Sequence, residues 1–317
     1  MVEDIKDRTI RIGTRGSKLA LWQAEAAAEK LQAAGLKTGL VIISTKGDQV
    51  LDKSLDKIGS KGVFTEELEV SLREGEVEIA VHSAKDVQST IPADLELIAF
   101  MEREQVNDVI LSFDPDFKLE RAGSAVIGTS STRRRALLKK YYPNIATAES
   151  RGNLQTRLRK LEEKQFDALM LAYAGVVRMG YDHLIVHTFP EDEFVPAAGQ
   201  GSVAIECARN LGPELKQAIK QALDHTDTHL CLLAERGFLR TMEGGCSIPS
   251  FALATLGNGG ISITGGLISL DGQTLLQETH TGTAEKAEQL GEQLATAILN
   301  QGGDAILKSI KAQRSEA

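Results

Sequence analysis

Little in this chain is of the kind that crosses a membrane, staples a fold with disulfides or draws a protein onto a polyanion. No apolar stretch approaches the roughly 20 residues that a helix needs to span a bilayer, so no membrane segment is expected. The opening run MVEDIKDRTIRIG carries acids and has no apolar core, so no secretory signal is expected either. Cysteine occurs three times, at Cys207, Cys231 and Cys246, too few and too odd in number for a disulfide scaffold. Positive charge is not in excess: 36 Lys+Arg stand against 44 Asp+Glu, a formal net charge of −8. The dominant positive field that general nucleic-acid binding requires is therefore missing. What is present is ordinary, with 42% hydrophobic and 25% charged residues, which excludes wholesale disorder. At roughly 150 residues per domain, 317 positions have room for two or three domains of a cytoplasmic protein.

The net value hides a local asymmetry. Residues 121–160 hold ten basic residues and one acid, Glu149, a local +9 that leaves −17 for the remainder. Guanidinium forks match planar carboxylate or phosphate groups. A charge run by itself reads as a solvated helix face. This one begins at AVIGTSSTRRRALLKK, which reads as a buried strand, a Ser/Thr cluster suited to helix capping, and then a helix. A helix start offers free backbone N–H groups and a positive dipole end, so arginines there reinforce a site for a small acidic ligand.

The chain also repeats itself. KGVFTEELEVSLREGEVEIAVHSA, from Lys61, falls on RGNLQTRLRKLEEKQFDALMLAYA, from Arg151, at a shift of 90 residues. In both, a basic residue and glycine open a helix that leads to a short apolar strand. IRIGTRGSKLALWQAEAAAEKLQAAG echoes the strand–GTSST–helix passage at Ile127, with Ser17 as the expected cap and Gly35 as the stop. Two α/β units of about 90–110 residues follow. Ligands of open parallel sheets bind beyond the carboxyl ends of the strands, so both GT-S/T loops are expected to face a cleft. In the last third, FALATL, GISITGGLISL and TLLQETHTG read as short strands separated by Asn258-Gly259 and Asp271-Gly272, both hairpin signals. A helix through AEKAEQLGEQLATAILN is expected to stop before Gly302-Gly303, completing a small α+β domain from about Thr226.

Few residues stand out chemically. VEIAVHSAKD ends a strand with His82, Ser83, Lys85 and Asp86. A carboxylate there, beside arginines, can stabilise a cation or move a proton. It can equally cap the next element. Cys246, in MEGGCSIPS, follows two glycines that would expose its thiol, although a lone cysteine also serves as a small buried hydrophobe. Cys207 and Cys231 have apolar neighbours and read as structural. His225 and His229 have helical spacing but lie in HTDTH with no obvious third ligand, so no metal is expected. Trp22 and Phe238 read as core. Tyr141-Tyr142 would suit base stacking, but the basic charge is confined to one segment of an acidic chain.

GTRGSKLALWQA, KGVFTEELE, IAVHSAKDV, IGTSSTRRR, SRGNLQTRL, LAYAGVVRMG, PAAGQGSVAIE and EGGCSIP occur in this order and span nearly the whole chain. Together they resemble the porphobilinogen deaminases, or hydroxymethylbilane synthases, of tetrapyrrole (heme and porphyrin) biosynthesis. The resemblance implies an α/β fold of two periplasmic-binding-protein-like domains flanking a cleft, plus a small α+β C-terminal domain with an antiparallel sheet. It places domain 1 at 1–103 and 202–223, domain 2 at 104–201 and domain 3 at 224–317. It implies a transferase whose steps need no metal. With no apolar span, no dominant positive field and nothing that suggests a large apolar interface, a cytoplasmic monomer with no membrane or nucleic-acid partner is expected. Such an enzyme joins four porphobilinogens head to tail, each losing ammonia, and releases linear hydroxymethylbilane. The growing oligopyrrole is primed by a dipyrromethane cofactor, whose thioether falls on Cys246.

By the same resemblance Asp86 is catalytic, stabilising the cationic pyrrole that forms after ammonia leaves. Carboxylate binding falls to Arg15, Arg133, Arg134, Arg151, Arg157 and Arg178. Further binding groups are Ser17, Lys85, Thr129, Ser131, Gly152, Asn153 and Gln200, and Lys61 and Phe64 are expected to close over the chain. Each pyrrole bears an acetate and a propionate, so a cofactor and four units bring twelve carboxylates, which accounts for a local +9 in an acidic protein. Lys18 and Gln88 stand where the family pattern has proline, Val177 where many members have a basic residue, and Ser250-Phe251 in place of a small apolar pair. Two other classes of function remain open on the residues alone. A non-catalytic anion binder would need neither Cys246 nor a third domain, and a nucleic-acid module would show steep salt dependence.

Overall fold

The computed structural model of the protein describes residues 8–49, 65–121, 123–243, 248–257 and 259–315. Its strands are β1 (Thr9–Thr14), β2 (Lys37–Ile42), β3 (Ile79–Ser83), β4 (Leu95–Phe100), β5 (Asp108–Leu111), β6 (Val126–Gly128) and β7 (Ala146–Ala148). They continue as β8 (Ala168–Ala172), β9 (Ile185–Thr188), β10 (Val203–Ala208), β11 (Ser250–Gly257), β12 (Gly260–Ile268) and β13 (Leu275–Gly282). The chain forms two compact units, one drawn from Met1–Glu104 and Ser202–His229, the other from Gln105–Gly201 and Leu230–Ala317.

In the first unit the sheet order is β2-β1-β3-β10-β4. β1 runs parallel to β2 and β3, while β10 is antiparallel to β3 and β4. Helix Lys18–Ala33 begins where the Ser17 hydroxyl accepts the Ala20 N–H at 3.3 Å. Its buried residues Ala20, Gln23, Ala24, Ala27, Ala28 and Leu31 recur every three or four positions. The apolar ones from Ala24 onward pack on Ile10, Ile12, Ile79 and Val81 of the sheet and on Leu215 and Ile219 of helix Pro213–Leu223. Trp22, expected in the core, lies off this stripe and is 36% exposed. On the other face, Leu68 and Leu72 of helix Glu66–Arg73 cover Ala80 and Leu95.

The second unit repeats the plan. Its larger sheet has the order β7-β6-β8-β5-β9, with β6 parallel to β7 and β8 and β5 antiparallel to β8 and β9. β6, β7 and β8 occupy the places of β1, β2 and β3, and helix Leu154–Glu162 with β8 corresponds to helix Glu66–Arg73 with β3. The 90-residue echo is thus a structural one. Only the antiparallel strand has a different origin: β10 enters the first sheet late, whereas β5 opens the second.

The same unit holds the antiparallel sheet β11-β12-β13, whose first ladder closes at Gly257 opposite Gly260. Phe238 of helix Thr226–Thr241 and Leu294 and Ile298 of helix Ala287–Ile298 fill a core with Ile261, Ile263 and Leu267. A Cβ on Gly291 would come within 1.9 Å of the Ala234 carbonyl oxygen, so only glycine allows this approach of the two helices. Gly302, at φ +107°, breaks the helix where expected, but a further helix, Asp304–Ser315, follows and buries Leu307 and Ile310. Among the described residues no helix is long and apolar enough to cross a membrane.

Candidate active site

Because β1 and β3 are parallel, their carboxyl ends share one edge of the first sheet. β1 leads into Arg15 and Ser17, both half-buried at the start of helix Lys18–Ala33. Thr14 fixes this bend: its hydroxyl donates to the Ala20 carbonyl at 3.1 Å, and its own carbonyl accepts the Ile43 N–H at 2.8 Å. β3 leads into a single tight turn, Ala84–Asp86. The turn is pinned by the Ala84 N–H, which donates to the Ser202 carbonyl at 2.9 Å, and by Ser83, which exchanges hydrogen bonds with the Gln23 amide at 2.9 and 3.2 Å. Lys85 and Asp86 are half-buried there. The chain leaves the turn extended at Val87, so Asp86 caps no helix, and its carboxylate makes no hydrogen bond or ion pair with the described residues.

In the second unit the parallel strands β6 and β7 likewise end on one edge. β6 leads into Thr129, Ser130 and Ser131. Thr129 is buried, its N–H donating to the Ala148 carbonyl at 2.8 Å and its hydroxyl accepting the Ser131 N–H at 3.3 Å. Ser131 caps helix Thr132–Tyr141 by accepting the Arg134 N–H, and the Ser130 hydroxyl accepts the Ser150 N–H at 3.0 Å, tying the two loops together. β7 leads into Arg151, Gly152 and Asn153. Gly152 has φ +103°, and a Cβ on it would meet the Thr156 side chain at 2.7 Å. Asn153 caps helix Leu154–Glu162 by accepting the Thr156 N–H at 2.9 Å. Arg157 donates to the Gly152 carbonyl at 2.8 Å, Arg151 pairs with Glu149 at 3.2 Å, and Arg178 donates to the Gly201 carbonyl at 2.7 Å.

The three helices that start at these loops, Lys18–Ala33, Thr132–Tyr141 and Leu154–Glu162, carry no acid in their first turns. Helices Glu66–Arg73, Pro213–Leu223, Thr226–Thr241, Ala287–Ile298 and Asp304–Ser315 each do. A positive helix end ordinarily attracts the chain's own carboxylates. Where they are absent from the first turn and hydroxyls and guanidiniums stand at the loop instead, the donors of each unit by themselves fit a carboxylate-bearing group such as dipyrromethane.

Two expected ligand arginines turn inward. Arg133 and Arg134 are 4% and 6% exposed and clasp the fully buried Asp108 at 2.7 and 2.8 Å. Gln200, also buried, donates to Asp108 at 3.0 Å and to the Val106 carbonyl at 2.7 Å. Burial pushes the Asp108 carboxyl up, but the two guanidiniums and the hydrogen bonds from Arg134 and Gln200 outweigh it and hold its pKa down at about 2. Burial in turn lowers the pKa of Arg133. Two cations on one carboxylate leave a buried net +1 at the first turn of helix Thr132–Tyr141. Asp108 was not among the residues picked out of the sequence. Its only signal is an acid opening the otherwise apolar strand DVIL.

Cys246, Lys61 and Phe64 lie outside the described residues. Cys207 and Cys231 are buried, and burial pushes the Cys207 thiol up to about 12, so it forms no nucleophilic thiolate near neutral pH. His225 and His229 face Thr228 and Asp224, at 2.9 and 2.8 Å. Tyr142 packs edge-on against Phe189, with the Arg121 guanidinium over its ring.

Residues 10–213 match the family model described as porphobilinogen deaminase, dipyromethane cofactor binding domain, and residues 229–300 match porphobilinogen deaminase, C-terminal domain. The chain belongs to the porphobilinogen deaminase family. Porphobilinogen deaminase of Cytophaga hutchinsonii is 54% identical, over 96% of this chain and 98% of its own length. That of Desulfosudis oleivorans is 48% identical over 96% of this chain and 99% of its own. Among solved structures, the methionine binding protein MetQ aligns over 69% of this chain and 90% of its own at 14% identity, with a TM-score of 0.42. As a porphobilinogen deaminase the chain joins porphobilinogen units, with loss of ammonia, into hydroxymethylbilane on a dipyrromethane primer.

Proposed function

We propose that Asp86 carries the chemical step of this polymerisation and Cys246 the primer. The observation that carries the first assignment is the Asp86 carboxylate itself, half-buried, set in a turn pinned at Ser83 and Ala84, and committed to no partner among the described residues. Coupling two pyrroles needs a negative group near the nitrogen that becomes cationic as ammonia leaves, and a base for the ring proton lost afterwards. One fixed carboxylate serves both needs. Dipyrromethane, when bound, supplies an electron-rich pyrrole carbon and a covalent tether.

The donor set of each unit holds the acetate and propionate groups. Arg15 and Ser17, with Lys85, act in the first unit. Arg151, Arg157 and Arg178 act in the second, with Thr129, Ser131, Gly152 and Asn153. Each charge-assisted hydrogen bond contributes about 1.5–3 kcal/mol, so several together retain a chain bearing two carboxylates per ring. Arg133, Arg134 and Gln200 act from within, through the net +1 they build around Asp108. The return of the chain into the first sheet as β10, and a sheet β11-β12-β13 with its own helices and most of its own core, support a division at 1–103 with 202–223, 104–201 and 224–317. Phe251 and Ile268 also pack into the core of the second segment. The acidic balance of the chain supports the absence of a nucleic-acid partner, and a cytoplasmic monomer belongs to the same reading.

The test is turnover. Purified protein given porphobilinogen is expected to release one ammonia per unit consumed and to form hydroxymethylbilane. Saturable binding of porphobilinogen with no ammonia would instead favour the anion-binder reading.

A further inference from the structure

We propose that helix Glu66–Arg73 clamps the loop that carries Asp86, and that Gln88 is the positioning residue through which the clamp acts. The proposal rests on the reading of Asp86 as the catalytic carboxylate. From Asp86 the chain passes through Val87, extended at φ −75° and ψ 137°, to Gln88. The Gln88 amide nitrogen donates to Glu69 Oε1 at 3.1 Å and lies 3.3 Å from Thr65 Oγ1. The Thr65 hydroxyl donates to the same Glu69 oxygen at 2.8 Å. On its other oxygen Glu69 receives Arg73 at 3.4 Å, and Arg73 Nε donates onward to Asp94 at 2.5 Å. Gln88 and Asp94 therefore fix two points of the loop between β3 and β4 to residues one turn apart on a single helix.

The helix is itself anchored on the sheet, since Leu68 and Leu72 pack with Ala80 of β3 and Leu95 of β4. Thr65 and Glu69 are 2% and 5% exposed, beside those leucines. Packing alone would favour an apolar residue at 69, because a buried carboxylate is tolerated only when its hydrogen bonds are met. Here Thr65 and Arg73 of the same segment meet them, and Gln88 of the Asp86 loop adds a third, so the loop docks on a carboxylate that is already satisfied. Asp86 is thus held between the end of β3 on one side and a clamped residue two positions away on the other. A reacting group displaced by about 1 Å loses up to about a hundredfold in rate, so such a clamp acts on turnover more than on binding. The hydrogen-bonded amide does here what the fixed φ of a proline would do at the same position.

The holoenzyme with Gln88→Leu, Gln88→Pro and, in parallel, Asp86→Asn tests this in steady-state assays with porphobilinogen and in thermal unfolding. Gln88→Leu keeps the bulk and loses the donor. It is expected to lower kcat about tenfold, with KM within about twofold and the unfolding midpoint little moved. Gln88→Pro is expected to restore most of kcat, because Val87 already has the extended conformation a following proline requires and the ring then fixes the loop. A Gln88→Leu variant with kcat within about twofold of wild type overturns the proposal. So does an equal loss in both variants, or a loss that follows the unfolding midpoint. Asp86→Asn separates the two readings. If it retains turnover, the Asp86 reading fails and the clamp has nothing to position. If it is inactive while Gln88→Leu is fully active, only the clamp fails.

Discussion

Asp86→Asn is expected to lower kcat by about 10²- to 10³-fold while KM for porphobilinogen and the unfolding midpoint stay close to wild type. The substitution preserves shape and removes the charge. Nothing in the described fold leans on that charge, since the carboxylate has no hydrogen-bond or ion-pair partner there and the turn is pinned through Ser83 and Ala84 instead. An interaction made only as the cation develops appears in kcat, whereas carboxylate binding by Arg15, Arg151 and Arg157 appears in KM. A kcat within about threefold of wild type would remove Asp86 from the chemistry.

Asp108→Asn is expected to be the most damaging change to stability. It keeps an acceptor but leaves two guanidiniums, each less than a tenth exposed, facing each other without a counter-charge. Removing one partner of a buried ion pair costs about 3–5 kcal/mol, and here two partners are stranded. Calorimetry should show the unfolding midpoint lowered by roughly 10 °C or more, and an unchanged midpoint would contradict the account. The pH dependence has a definite sign. With the Asp108 pKa lowered to about 2 in the fold, the stability it contributes is complete above the ordinary carboxylate range and is lost as pH falls toward about 2. The variant lacks that part of the acid transition.

What the sequence made legible follows from how local each signal is. The duplication was visible because strand, turn glycine and helix period are written within twenty or so residues, and both sheets place their repeats in equivalent positions. Ser17 as a cap and the Ser/Thr cluster at Ser131 were likewise local features. The basic segment was legible as a count and not as a distribution. Arg133 and Arg134 are spent on Asp108, Arg121 on Glu193 and Arg159 on Glu163, all acids outside the segment in which the charge was summed. The Arg159–Glu163 pair is local, but pairing across 25 to 72 residues, as to Asp108 and Glu193, leaves no trace in a window. Trp22 was misplaced because being large and apolar does not decide burial. Its position two residues past Ala20 turns it off the buried stripe. Helix Asp304–Ser315 was missed because Gly302 reads as a stop, and a glycine at positive φ can also kink a helical path that resumes. Gln88 was legible only as a departure from the family pattern. What it does depends on Glu69, 19 residues earlier and brought back by the fold.

The central claim, a primer carried on Cys246, is tested most directly by the intact mass of the denatured protein. Wild type, after incubation with porphobilinogen, is predicted to exceed the mass of its chain, 34.2 kDa, by at least one dipyrromethane. Cys246→Ser is predicted to stay at the mass of its chain. Wild type that remains unmodified, or a Cys246→Ser variant that is equally heavy, would contradict it.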